Sequence, residues 1–158
     1  MVSTIQTQVL VLSDTHGKPL SLSTTERVDI AIHCGDLTEE SKLEECRTAI
    51  RMLHDIKADL KLVIAGNHDW TLDDAAFRRK VAEMKPTAED LELVEREYGR
   101  VGEAKRMLVS DEARAAGIVY LEEGVHSLDL ANGARLTVYA SPYTPSLNDW
   151  AFSYDPRE

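Results

Sequence analysis

Cysteine, aromatic residues, basic charge and long apolar runs are all scarce in this chain, and each shortage excludes a class of protein. Two cysteines in 158 residues, Cys34 and Cys46, cannot build a disulfide framework. They also lack the C-x-x-C spacing of a zinc ribbon. Cys46 falls on the apolar stripe Leu43, Cys46, Ile50, Leu53 and reads as a small buried hydrophobe. Eighteen basic against 28 acidic residues give a formal charge of −10, which opposes attraction to nucleic-acid backbones. The largest basic cluster is Arg78-Arg79-Lys80, so nucleic acid is not an expected partner. No apolar run reaches membrane-spanning length, and Met1 to Gln8 lacks the basic and apolar regions of a signal peptide. The expectation is a single cytoplasmic domain over residues 1–158, with 43% hydrophobic content to supply its core.

Three short apolar runs are present, and each ends in a polar cluster: Val9 to Leu12 before Ser13-Asp14-Thr15-His16, Ile30 to Ile32 before His33-Cys34-Gly35-Asp36, and Leu62 to Ala65 before Gly66-Asn67-His68-Asp69. Strands are expected over Gln8–Leu12, Val28–His33 and Leu60–Ala65, with a Ser/Thr-rich loop from Lys18 to Glu26. Thr38 is a candidate N-cap for a helix of roughly five turns, whose apolar spacing runs from Leu43 to Ile56. From Leu72 to Ala116 the charged composition, broken by Pro86, Gly99 and Gly102, predicts two or three helices, one starting near Asp73 and Asp74. Strands follow at Ile118–Leu121, Val125–Leu130 and Ala134–Ala140, the last two joined at Asn132-Gly133 in a type I′ hairpin. The order β, β, α, β points to parallel strands in a layered α/β fold.

Parallel strands deliver their terminal residues to one crevice. On an extended segment Asp14 and His16 point the same way and can face one metal. Asp36 follows a glycine suited to a tight turn, and its carboxylate can bridge two cations. In the third cluster Asn67 offers a neutral oxygen, His68 a proton donor, and Asp69 a carboxylate able to orient the imidazole. Each cluster alone is ordinary turn chemistry; the three together describe a site for divalent metals. His33, His54, Asp55 and Asp59 read as strand or helix-boundary residues, and Trp150, Phe152 and Tyr154 alternate like strand residues that pack a core or edge.

D-x-H, then G-D, then G-N-H-D is the motif order of the calcineurin-like metallophosphoesterase superfamily, which the chain resembles. Tyr120-Leu121-Glu122, the hairpin, Ser141-Pro142-Tyr143-Thr144-Pro145 and Trp150-Ala151-Phe152 extend the likeness to small eukaryotic metallophosphoesterase-domain proteins, including fungal ones, from about residue 8 to 154. The resemblance implies an α/β fold with a two-sheet β-sandwich flanked by helices. It implies hydrolysis of phosphate mono- or diesters by a metal-activated water at a dinuclear centre of Mn, Fe, Zn or Mg, with a small phosphoester as substrate. Carried over by position, Asp14 and His16 would bind the first metal and Asp36 would bridge the pair. Asn67 would bind the second metal and the phosphate, while His68 would be the acid that Asp69 orients.

The superfamily pattern continues with a G-H and a G-H-x-H that supply three further histidine ligands. Here the only later histidine is His126, in Gly124-Val125-His126-Ser127, which matches neither. The expected fold is therefore C-terminally incomplete, with an uncovered sheet edge favouring self-association. The rival reading is a truncated or degenerate member without catalysis, binding at most one metal and acting through protein contacts. An aspartyl-nucleophile phosphohydrolase is disfavoured, because it needs D-x-D where this chain has Asp14-Thr15-His16.

Overall fold

The computed structural model describes residues 4–18, 26–146 and 150–157. The loop expected over Lys18 to Glu26 lies almost wholly outside the described residues. Strands β1 (Val9–Leu12), β2 (Val28–Cys34), β3 (Ala58–Ile64) and β4 (Ile118–Tyr120) hydrogen-bond in that order into one parallel sheet. Their register aligns Val11 with Ile32, Ile32 with Leu62, and Leu62 with Val119. These runs of valine, isoleucine and leucine suit strands that are covered on both faces.

One face is covered by helices. Helix α1 (Leu43–Asp55) turns Leu43, Cys46, Ala49 and Leu53 into a core with Ala31 and Val63 of the sheet. The segment between β3 and β4 holds a short 3-10 turn (Trp70–Leu72) and four helices rather than two or three: α2 (Asp74–Glu83), α3 (Ala88–Tyr98), α4 (Glu103–Leu108) and α5 (Asp111–Ala115). Asp73 caps α2 by accepting from the Ala75 and Ala76 amides, as its position predicts. Thr38 does not cap α1. The helix begins after Lys42, and Glu45 accepts the Lys42 amide at 3.0 Å. Thr38 is instead drawn into the loop before it, where its hydroxyl and amide both donate to Asp69. The helix is accordingly shorter than expected, at 13 residues.

The other face is covered by the antiparallel hairpin β5 (Gly124–Asp129) and β6 (Arg135–Ala140). Its alternating pattern sends Leu128, Leu136, Val138 and Ala140 onto Ile30, Ile32, Leu62 and Leu121. The turn differs from the expected type I′. Asn132 has no positive φ, Gly133 sits at φ 88° and its amide donates to the Leu130 carbonyl oxygen at 2.9 Å. That is a type I turn closed by a left-handed glycine, the usual three-residue hairpin connection. A short parallel pair, β7 (Thr144–Pro145) and β8 (Ser153–Tyr154), completes the described chain. The result is a mixed α/β molecule in which helices, a parallel sheet and a β-hairpin form successive layers, as the fold class requires.

The hairpin does not reach β1. Val9 and Val11, in register with the covered Ile30 and Ile32, are 50% and 61% exposed, and β1 is paired only with β2 among the described residues. Changing a side chain should therefore cost very different amounts at the centre and at the β1 edge of the sheet. Leu62→Ala, at a fully covered position, should destabilise by about 2–5 kcal/mol in urea unfolding, whereas Val11→Thr should change stability by less than about 0.5 kcal/mol.

Candidate metal centre

Because β1, β2 and β3 run parallel and in register, Leu12 lies beside His33 and His33 beside Val63, so the three following turns meet at one edge. The turns are also bonded to one another. The Asp14 amide donates to the Gly35 carbonyl oxygen and the His16 amide to that of Asp36, each at 3.1 Å. Asp14, His16 and Asp36 all adopt left-handed backbone, at φ 55°, 50° and 53°. Such conformations cost non-glycine residues on the order of 1–3 kcal/mol and persist where surrounding structure enforces them. Gly66 is required by close approach, since a Cβ there would collide with the Asp36 carboxylate and backbone nitrogen.

The turns gather the side chains expected to bind the first metal. One ligand atom from each of Asp14, His16 and Asp36 can be chosen so that all lie within 4.8 Å of one another. His16 and Asp36 are half-buried and Asp14 is exposed, so the group opens to solvent. Asn67 occupies the adjacent turn after Gly66 and is half-buried. Both histidines have a defined tautomer. His16 Nδ1 lies 3.2 Å from the Thr38 carbonyl oxygen and His68 Nδ1 lies 2.8 Å from that of Glu39. A nitrogen facing a carbonyl must carry the proton, which leaves Nε2 of each ring as the free, basic nitrogen. Nε2 of His16 is the atom on the Asp14 side, at 4.0 Å from its carboxylate. Oxygen and imidazole donors of this kind fit Mn, Fe or Zn, with Mg also compatible.

Asp69 is placed differently from the expectation that it orients His68. It is 1% exposed, and its oxygens accept from the amides of Leu37 (3.1 Å), Thr38 (2.9 Å) and Gly66 (2.9 Å) and from the Thr38 hydroxyl (2.7 Å). Burial raises its pKa from the ordinary carboxylate value, and the four donors oppose that rise. The carboxylate thus ties the Asp36 turn to the Asn67 turn. Asp36 returns the link by accepting the His68 amide at 3.0 Å. The His68 ring is oriented by the Glu39 carbonyl instead.

Two further residues reach the site. Glu39 places a carboxylate oxygen 3.4 Å from His16 Nδ1, close enough with His16 and His68 to form a second possible ligand group. Its sequence position read as the first turn of a helix, and the late start of α1 leaves it in the loop. Trp150 stacks on His68, with ring centroids 4.8 Å apart. Alternation suggested a core or edge role for it, and only tertiary folding reveals the contact. Behind the site, buried His33 bonds Thr15 Oγ1 through Nε2 at 2.9 Å, while its Nδ1 has no partner. Burial pushes its pKa down to about 4 against a smaller upward pull from Asp14. His126 takes an intermediate, partly covered position on β5, and its Nε2 lies 2.9 Å from the Glu122 carbonyl oxygen.

Residues 8–127 match the calcineurin-like phosphoesterase superfamily domain. Over 95% of its length the chain is 33% identical to a protein of Emericella nidulans named probable rhamnogalacturonate lyase C, covering 12% of that protein. It is 27% identical over 88% of its length to a UPF0046 protein of Caenorhabditis elegans, and 26% identical over 93% to human metallophosphoesterase domain-containing protein 1. It covers 33% and 40% of those two proteins, so it spans two fifths or less of the length of these curated relatives. Among the described residues no helix is long and apolar enough to cross a membrane.

Two stability measurements test this geometry. Asp69→Asn sets an amide against a cluster of N–H donors and should cost about 2–4 kcal/mol in chemical unfolding, although none of its four hydrogen bonds is to a predicted ligand side chain. His33 gives a pH dependence of known sign. Between its ordinary value near 6.5 and its folded value of about 4, the unfolded chain takes up a proton that the folded chain refuses. Stability should therefore fall as pH drops through that window, by up to about 3 kcal/mol from this group. Unfolding free energies measured from pH 7 to pH 4 should show a shallower decline in His33→Gln.

Proposed function

The chain belongs to the calcineurin-like phosphoesterase superfamily, and from that premise we propose that it is a hydrolase of phosphate mono- or diesters working with two divalent cations. The observation that carries the proposal is the convergence of Asp14, His16 and Asp36, three donors from two strand ends whose ligand atoms lie within 4.8 Å. Three carboxylates, Asp14, Asp36 and Glu39, surround two imidazoles there, and no lysine or arginine pairs with any of them among the described residues. Such a cluster favours cations and repels a free phosphoester.

Asp14 and His16 would hold the first cation in this reading, Asp36 would contribute to both, and Asn67 would serve the second cation and the phosphoryl oxygens. Bound divalent cations supply charge neutralisation at the phosphoryl group and a nucleophilic water at neutral pH. The Glu39 backbone carbonyl accepts a hydrogen bond from His68 Nδ1, which turns Nε2 toward the site; with a second proton on the ring, as imidazolium, Nε2 is the nitrogen placed to deliver a proton to the leaving oxygen. Asp69 acts one step back, fixing the two turns that carry Asp36, Asn67 and His68.

Metal analysis and turnover test the proposal together. The purified chain loaded with Mn should bind two ions and hydrolyse p-nitrophenyl phosphoesters, and Asp36→Asn should lose metal and turnover together. A wild-type chain that binds one ion or none and hydrolyses neither mono- nor diesters with Mn, Fe, Zn or Mg would refute it. That outcome would favour a non-catalytic member acting through protein contacts.

A further inference from the structure

We infer that Trp150 is a positioning residue for His68, holding its imidazole so that Nε2 faces the leaving oxygen. The inference rests on the proposed hydrolysis with His68 as the acid. The contact is a tilted stack, with centroids 4.8 Å apart and planes at 34°. The His16 ring also packs on His68, at 4.8 Å between centroids and nearly perpendicular at 87°. The His68 Nδ1–H bond to the Glu39 carbonyl oxygen fixes one point of the ring. A ring held at one point can still swing about that bond, and the indole and the His16 ring packed against it oppose the swing.

Trp150 is not placed by its own burial, since it remains 38% exposed. It is placed by a clamp built around it. The Thr144 amide donates to the Phe152 carbonyl oxygen at 2.9 Å and the Ser146 amide to that of Tyr154 at 3.0 Å. Ser153 Oγ donates to the Trp150 carbonyl oxygen at 2.6 Å, and the Phe152 amide reaches Asp73 Oδ2 at 3.5 Å. Ala151 is fully buried and Phe152 takes left-handed backbone at φ 48°. Phe152 also packs edge-on against Tyr143. The segment is thus anchored beside the indole, which projects over the imidazole with part of its surface open to solvent.

Leaving-group chemistry separates this role from others. Proton delivery matters most when the departing oxygen is a basic alkoxide and least when it is p-nitrophenolate. Trp150→Ala should lower kcat on a methyl or other alkyl phosphoester by about tenfold, while changing kcat on the p-nitrophenyl ester by less than about twofold. KM should be nearly unchanged on both, and Trp150→Phe should recover most of the alkyl rate. His68→Gln should show the same leaving-group bias more strongly. Equal losses on the two esters would overturn the inference by showing a general structural role. A KM increase confined to the aryl ester would also overturn it, by making the indole a platform for an aromatic substrate.

A second readout needs no turnover. In proton NMR of the metal-free chain, the His68 ring resonances, assigned by their loss in His68→Gln, should be displaced upfield by the indole. They should move back in Trp150→Ala and only partly in Trp150→Phe. His68 resonances indifferent to Trp150→Ala would overturn the inference. If wild-type protein hydrolyses neither ester, the hydrolase reading fails, and the NMR result still decides whether Trp150 fixes the ring.

Discussion

The buried carboxylate of Asp69 is the constraint on which the rest of the site depends. A carboxylate removed from water is costly unless donors replace its hydration, and here four donors from two turns do so. The arrangement has a direction. Asp69 sits in the turn after β3 and grips the turn after β2, while Asp36 in the turn after β2 accepts the amide of His68. Each turn therefore supplies the acceptor that satisfies the other's backbone. The Asp36 side chain can fit beside the Asn67 turn only because Gly66 has no Cβ. Strand pairing brings the turns near each other, and these reciprocal bonds set their separation.

That cross-linking also explains how strain is tolerated. Three polar residues with left-handed backbone sit where side chains must converge rather than alternate. The left-handed conformation turns the chain sharply at the strand end and points Asp14, His16 and Asp36 toward a common centre. Its cost falls on the fold as a whole, which offsets it through the Asp14–Gly35 and His16–Asp36 backbone bonds and the Asp69 cluster.

Much of this was legible in the sequence, and what was hidden is instructive. The three strand ends could be read because apolar runs ending in polar clusters depend only on local order and on parallel pairing. The hairpin was legible for the same reason, although its turn type was not, since Asn-Gly serves more than one geometry. The use of Asp69 was hidden because adjacency to His68 suggests that the two side chains meet. In a turn, successive side chains diverge, and Asp69 points inward while His68 stays at the surface. Thr38 followed by Glu39 and Glu40 carries the usual signs of a helix start, but the pull of Asp69 on Thr38 outweighed them. Trp150 is far in sequence from every residue it serves, and no spacing rule connects it to His68.

The electrostatics of the site bind these elements to one another. Asp14, Asp36 and Glu39 crowd a region of a chain already carrying a charge of −10, so a phosphoester approaching alone meets repulsion. Cation binding would then be a condition for substrate binding as well as for the chemistry. Glu39 matters in this balance even without touching a cation. Its carboxylate lies on the Nδ1 side of His16, where it favours the protonated Nδ1 and so leaves the Nε2 lone pair, on the Asp14 side, open to a cation. Its backbone carbonyl sets the same tautomer in His68. One residue thereby bears on the tautomer of both imidazoles, and it can do so only because α1 starts late enough to leave it in the loop.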